Sequence, residues 1–392
     1  MTAETTDRPE RLLALDALRG VAAVVVLVHH VSMTIPAVSA AYESSANVAF
    51  LSTGWWVTLS PLKILFAGPE FVLVFFVLSG LVLVRSPLAG GASRRYDWFA
   101  YYPRRIIRLG IPVVVSVVLA AAWIALVPRT GGGGAWLAKQ AAPDIGIGNI
   151  LREASLLTEI GRPVINPPLW SLAWEMWFSL LLPIAVILAA ATTRRWPVWA
   201  ALLCATSSLG YLTATPPLMY LPAFALGGLL AANYASLATS AARLSEKSWG
   251  TAAWTGLLVA GPLLLVAYWL LRPLLSAPWN DVALSLRVPG AVLIVAVVAF
   301  WPPLHRVLSA RPVVWLGTLS FSLYLVHFPI VVTFAELAGP GRWWLGALVS
   351  VPVSLLAAWL MLRWVERPSL ALASRVGRAV GSRTADQQAT PR

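Results

Sequence analysis

A chain of 392 residues with 59% hydrophobic and only 11% charged side chains is not a soluble globular domain, in which about a quarter of residues carry charge. The net charge of +13 does not make it a nucleic-acid binder, because the basic residues stand in short clusters between apolar runs, the pattern that orients membrane helices. One cysteine, Cys204, and four histidines, His29, His30, His305 and His327, leave no disulfide framework and no zinc or iron–sulfur spacing, so no metal is expected and Cys204 reads as small apolar packing.

A bilayer-spanning helix needs about 20 mostly apolar residues. In chain order such runs fall at roughly 17–37, 66–84, 107–127, 168–191, 196–213, 217–237, 249–271, 282–301, 313–335 and 342–364. The fold class expected is therefore all-α: a polytopic membrane bundle of about ten transmembrane helices. An even count puts both termini on one side. Arg85, Arg94, Arg95, Arg104, Arg105 and Arg108, then Arg194, Arg195 and the basic C-terminal tail, all fall on that side, which the positive-inside rule makes cytoplasmic. The expected location is a bacterial cytoplasmic membrane, spanned many times, with the lipid bilayer as the chain's constant partner.

Residues 1–11 and 373–392 are expected to be mobile tails around a membrane domain over 12–372. "AVSAA" at 37–41 has the small residues of a signal-peptide cleavage site, but the acidic leader, Arg19 and two histidines argue for a retained helix. In the longest outer loop, 128–167, "RTGGGGAW" lacks the GK[ST] and following helix of a phosphate cradle and is expected to be a flexible link. "NILREASLL" after it is amphipathic at helical spacing and suits a surface helix.

Ionisable groups within spanning segments are costly, and so are functional candidates. At 100° per residue, His30 lies about 20° from the face of Arg19, whereas His29 lies about 80° off it. Arg19, Ala23, Val26 and His30 thus form one stripe, with Asp16 able to pair with Arg19. His30 stands about 16 Å above Arg19 along the axis, past the bilayer centre, and is the reactive candidate; His29 packs or orients it. Glu175 in "LWSLAWEMW", Glu70 in "GPEFVLVFF" and His327 in "LYLVHFP" are expected at similar depth in the outer half, while the arginines gather at the inner rim.

That division has a chemical reading. A neutral imidazole is a candidate general base for a hydroxyl, and arginines grip phosphates through bidentate hydrogen bonds. A long donor with an anionic head, such as acyl-CoA, would dock on Arg85, Arg104, Arg105 and Arg108 and thread its reactive end toward His30, with Arg19 and Glu175 in support. Glu70, Trp170, Ser171 and His327 would line the acceptor side. Plainer readings exist for several: topology alone for the arginines, a helix-start carboxylate for Glu70, and service to carbonyls freed by Pro329 for His327.

At these residues the sequence resembles the acyltransferase 3 family of membrane-bound O-acyltransferases. "LDALRGVAAVVVLVHH" (15–30) looks like its first-helix signature, an Arg followed by a His, which assigns Arg19 and His30. "FVLVFFVLSGLVLVR" (71–85), "FAYYPRRIIRLGIP" (99–112), "LWSLAWEMWF" (169–178), "LGTLSFSLYLVHFPI" (316–330) and "VERPS" (365–369) resemble its later blocks in order. The resemblance implies ten helices and acyl transfer from acyl-CoA as co-substrate to a hydroxyl of a carbohydrate or glycosylated small-molecule acceptor, with His30 as base or transient acyl carrier. Two departures stand out. Met176 and Trp177 follow Glu175 where relatives often carry more polar residues, which implies an apolar acceptor pocket. The chain also ends soon after the tenth segment, without the extra helix and hydrolase-like domain of some members, so transfer is expected to finish within the membrane domain. An acyltransferase acting on an apolar secondary metabolite such as a macrolide, or a proton-coupled transporter, would use the same intramembrane groups; the transporter would favour two matching halves with broken helices, and no such symmetry is visible.

Overall fold

In a computed structural model, the backbone is described at residues 4–46, 48–89, 96–157 and 163–389, and side chains between residues 13 and 381. Arg94, Arg95 and Glu159 lie outside the described residues. The protein is 83% helical with no strands among the described residues. Its main helices are α1 (Glu4–Met33), α2 (Gly68–Leu88), α3 (Trp98–Leu126), α4 (Ile147–Ser155), α5 (Leu169–Leu180), α6 (Leu182–Ala191), α7 (Trp196–Leu212), α8 (Pro216–Ala232), α9 (Tyr234–Ser245), α10 (Gly250–Leu271), α11 (Arg287–Phe300), α12 (Arg311–Ala338), α13 (Trp343–Met361) and α14 (Arg367–Ala389).

Every expected run is occupied by helix, but not every run is one straight span. Among the described residues, seven helices are long and apolar enough to cross a membrane, or nine if each bent pair counts as one span. The bends are 68° between α5 and α6 and 74° between α8 and α9. The remaining run, α7, has 17 residues, just under the usual spanning length. The described residues of both tails are helical: α1 starts at Glu4 and α14 reaches Ala389.

The chain divides into two compact units, residues 1–88 with 184–320, and residues 89–183 with 321–392. In the first, helices meet through glycine, as membrane helices do when backbones must approach closely. A Cβ on Gly20 would run into Gly317 of α12, and one on Gly317 into Asp16 of α1. Gly80 of α2 and Gly227 of α8 form a second crossing, each lying against the other helix's carbonyls at Phe224 and Val77.

The second unit is built on α3, which Asp97 caps by accepting the Ala100 N–H at 2.9 Å. The start of α14 runs along the early turns of α3, with Gly377 against Arg104 and Gly381 against Asp97. Pro329 within α12 has no N–H, which leaves the Leu325 carbonyl without its helical donor. Asn166 Nδ2 fills that place at 2.8 Å. The RTGGGGAW stretch, expected to be a flexible link, is tied down at its start. The Glu336 carboxylate accepts the Thr130 and Gly131 N–H groups at 3.0 and 2.8 Å, and Arg129 donates to the Ile165 carbonyl at 3.1 Å. Gly133 and Gly134, at φ of 110° and 140°, supply turns that side chains disfavour. Helix does form at "NILREASLL", as α4, and it turns fully buried Glu153 inward to accept the N–H groups of Val164, Ile165 and Asn166.

Candidate active site

In the first unit, α1 carries Arg19 and the histidine pair. Arg19 Nη1 lies 3.7 Å from Asp16 Oδ1. His30 is half-buried and its ring stands 5.2 Å from that of His29, tilted 60° to it. His29 is buried, with Nδ1 2.9 Å from the Phe66 carbonyl and the ring 5.4 Å from Tyr42. Gly68 leaves room for that ring; a Cβ there would come within 2.7 Å of it. With Nδ1–H donating to a carbonyl, the tautomer and plane of His29 are set, and its edge forms one wall beside His30.

The Phe66 carbonyl also accepts from Lys63 Nζ at 3.0 Å, and this lysine opens a buried network. Its ammonium sits 4.9 Å from the Tyr42 ring centre and 4.4 Å from that of Trp269. Trp269 Nε1 donates to Glu70 Oε1 at 2.9 Å, and Arg287 Nη1 reaches the same oxygen at 3.3 Å. Burial lowers the Lys63 pKa to about 8; Glu70 opposes the shift and Arg287 adds to it. Burial likewise raises the Tyr42 hydroxyl, with the Glu70 charge adding to the rise.

Glu70 needs a corrected role. It is fully buried, with Oε1 holding Trp269 and Arg287 and Oε2 without a hydrogen-bond partner among the described residues, so it is not an interfacial helix-start charge. Arg85 is likewise occupied: its guanidinium carbon lies 3.9 Å from the Tyr234 ring centre, a cation–π contact rather than an open phosphate clamp.

The second unit holds the other candidates. Arg105 Nη2 is 2.6 Å from Glu175 Oε1, and Arg105 Nε donates to Ser179 Oγ at 2.9 Å. Ser179 in turn donates to the Glu175 carbonyl at 2.7 Å, while Tyr101 and Tyr102 donate to the Ser179 and Leu180 carbonyls at 3.2 and 3.1 Å. Arg105 is thus buried and committed to α5, which removes it from the set expected to hold donor phosphates. Arg104 and Arg108 are exposed, with Arg104 Nε on the Ala100 carbonyl at 2.8 Å.

On the same unit, Ser171 Oγ and Tyr324 Oη are 2.6 Å apart, and both lie within reach of the Pro168 carbonyl, at 3.1 and 2.9 Å. Trp170 beside them is half-buried. His327 is buried with Nδ1 2.9 Å from the Leu323 carbonyl, one turn back on its own helix; the carbonyl freed by Pro329 belongs to Asn166 instead. Among the described residues no trio of His, Cys, Asp and Glu is disposed to hold a metal ion.

Sequence reasoning missed Lys63, Tyr42, Trp269 and Arg287. One signal was present: Arg287 interrupts an apolar run, which marks an intramembrane charge with a partner to be found. Ser179, a turn after Glu175, was the other legible neighbour.

The chain is, first, a multi-pass helical membrane protein of bacterial type whose spanning segments carry a histidine pair and two buried carboxylate–arginine pairs. It belongs to the acyltransferase 3 family, whose acyltransferase domain it matches over residues 12–363. YrhL of Bacillus subtilis (strain 168), provisionally named a peptidoglycan O-acetyltransferase, is 27% identical over 319 residues, covering 75% of this chain and 49% of that protein. Peptidoglycan O-acetyltransferase OatA of Listeria monocytogenes is 28% identical over 88 residues, 22% of this chain and 14% of its own length. The chain thus spans about half or less of the curated relatives it matches. No solved structure matches it.

Proposed function

We propose that the protein is an integral membrane O-acyltransferase that moves an acyl group from acyl-CoA to a hydroxyl of a carbohydrate, with cell-envelope glycan of the peptidoglycan type as the acceptor. Family membership and the names of its relatives support the reaction class and the acceptor. The observation that carries the mechanism is the histidine pair: His30 half-buried on the Arg19 helix, next to a neighbour whose ring is fixed by the Phe66 carbonyl.

In this reading a ring nitrogen of His30 accepts the proton of the acceptor hydroxyl as its oxygen attacks the thioester carbonyl. The tetrahedral intermediate collapses by breaking the carbon–sulfur bond; an ester remains on the sugar, and the coenzyme A thiolate takes a proton, balancing the transfer. With both termini cytoplasmic, exposed Arg104 and Arg108 face the phosphates of the donor on that side, where guanidinium groups suit phosphate. The Arg105–Glu175 pair shapes the second unit near Ser171 and Tyr324 rather than binding donor.

The test is transfer of labelled acetyl from acetyl-CoA by purified full-length protein in detergent to a panel of glycans, comparing wild type with His30→Ala. Loss of transfer in a variant with unchanged thermal unfolding is expected. Undiminished transfer would assign the base to another residue.

A further inference from the structure

Within the second unit, α3, α12 and α13 part to leave an apolar groove of about 380 Å³, inside the 300–1,000 Å³ typical of small-molecule sites. Its walls include Ala120 and Trp123 of α3, Pro329 and Ile330 of α12, and Ala357 and Trp364 further along. Three local features open it. Ala120 and Ala357 are small, and Pro329 breaks the α12 ladder. Between α13 and α14 the helix widens into a π turn at Leu362–Glu366, a departure that recurs at functional sites. The wall offers little to a sugar. Its serine hydroxyl, Ser116, is already given to the Val113 carbonyl at 2.8 Å.

All three helices are long and apolar enough to cross a membrane, so the mouth of the groove, flanked by exposed Leu119 and Trp364, opens onto hydrocarbon. One end differs from the rest. Arg363 and Arg367, both exposed, bracket Trp364 and Val365 on the π turn. Glu366 lies within electrostatic reach of Arg367 and of exposed Arg108, and its Oε2 accepts the Ser322 hydroxyl at 2.5 Å. Arg108 and Arg367 therefore share one carboxylate that is already hydrogen-bonded, and Arg363 adds a further charge on the same turn, leaving a positive surplus beside an apolar slot.

We propose that this groove is a lipid site that takes one hydrocarbon chain of an anionic phospholipid, with the lipid phosphate on the rim of Arg363 and Arg367. Basic pockets between membrane helices are suited to anionic headgroups, and guanidinium to phosphate. A zwitterionic headgroup brings a cation to the same rim and is disfavoured there. The proposal rests on residues that the acyl-transfer reading does not use, so either can fail alone.

Native mass spectrometry of the delipidated full-length protein, offered equal phosphatidylglycerol and phosphatidylcholine in detergent, reads the proposal. Wild type is expected to retain phosphatidylglycerol at least severalfold over phosphatidylcholine. Ala357→Trp, and separately Ala120→Trp, should abolish retention of both while gel filtration and thermal unfolding stay as in wild type. Arg363→Gln with Arg367→Gln should remove the preference and leave residual binding of either lipid. Equal retention of the two lipids by wild type, or retention unchanged in both tryptophan variants, would overturn the assignment. So would displacement of phosphatidylglycerol by equimolar palmitoyl-CoA but not by acetyl-CoA, which would make the groove a donor-chain site.

Discussion

Arg105 and Glu175, seventy residues apart in sequence, close an ion pair at 2.6 Å in which the same guanidinium also donates to Ser179. Both side chains are largely shielded from solvent, at 8% and 18% exposure. Breaking a shielded pair from one side leaves an uncompensated charge, which costs about 3–5 kcal/mol. Glu175→Ala is expected to destabilise by that order, and Glu175→Ala with Arg105→Met to recover much of the loss. Thermal unfolding of Glu175→Ala, Arg105→Met and the double variant in detergent measures it; additive losses in the double variant would mean the two residues act separately.

Asn166 and Pro329 form a matched set. The proline frees the Leu325 carbonyl and the amide satisfies it. Asn166→Ala strands a buried acceptor, at about 1–3 kcal/mol. Pro329→Ala restores an N–H within the helix, so in that background Asn166→Ala should cost markedly less. Equal costs in both backgrounds, read by thermal unfolding, would remove this account of Asn166.

Lys63 gives a pH signature. Its pKa in the folded protein is about 8, against an ordinary 10.5. A lowered lysine pKa means the unfolded chain binds more protons between those values, so stability rises with pH across that window and the burial cost of the charge is full below it. The stability of wild type relative to Lys63→Met should therefore climb between pH 8 and pH 10, by up to about 3 kcal/mol at 1.36 kcal/mol per pKa unit. A flat difference across that range would contradict it.

The glycine crossing of α2 and α8 tolerates no Cβ. One added at Gly227 meets the Val77 carbonyl of the facing backbone, which has no side-chain freedom to give way. Gly227→Ala should lower stability by about 1–3 kcal/mol, the usual range for overpacking, whereas Gly256→Ala, where nothing lies within 4 Å of the added atom, should be neutral or slightly favourable as a helix former. Melting temperatures of the pair decide it.

Much of this architecture was legible because membrane helices declare themselves by uninterrupted apolar runs: each of the ten runs holds helix. The bend at Leu181 was not legible, since it sits inside a run that stays apolar through the break; at Asn233 the polar side chain was the one signal, near the end of its run. The stripe of Arg19 and His30 follows from helical spacing alone. By contrast, Glu70 finds Arg287 across 217 residues and Trp269 across 199, and no local pattern states such a pairing. The glycine loop misled for the same reason: its anchor, Glu336, is over 200 residues away, so composition suggested freedom where a distant carboxylate imposes order.

The central claim is that His30, and not its neighbour, removes the acceptor's proton. The most direct measurement is the rate of labelled acetyl transfer from acetyl-CoA to glycan by His30→Gln and His29→Gln, alongside acetyl-CoA binding to each. The expected result is a loss of about 10²- to 10⁴-fold for His30→Gln with donor binding intact, and a loss within about tenfold for His29→Gln, whose ring only sets the wall. Equal rates in the two variants, or a greater loss for His29→Gln, would contradict the account.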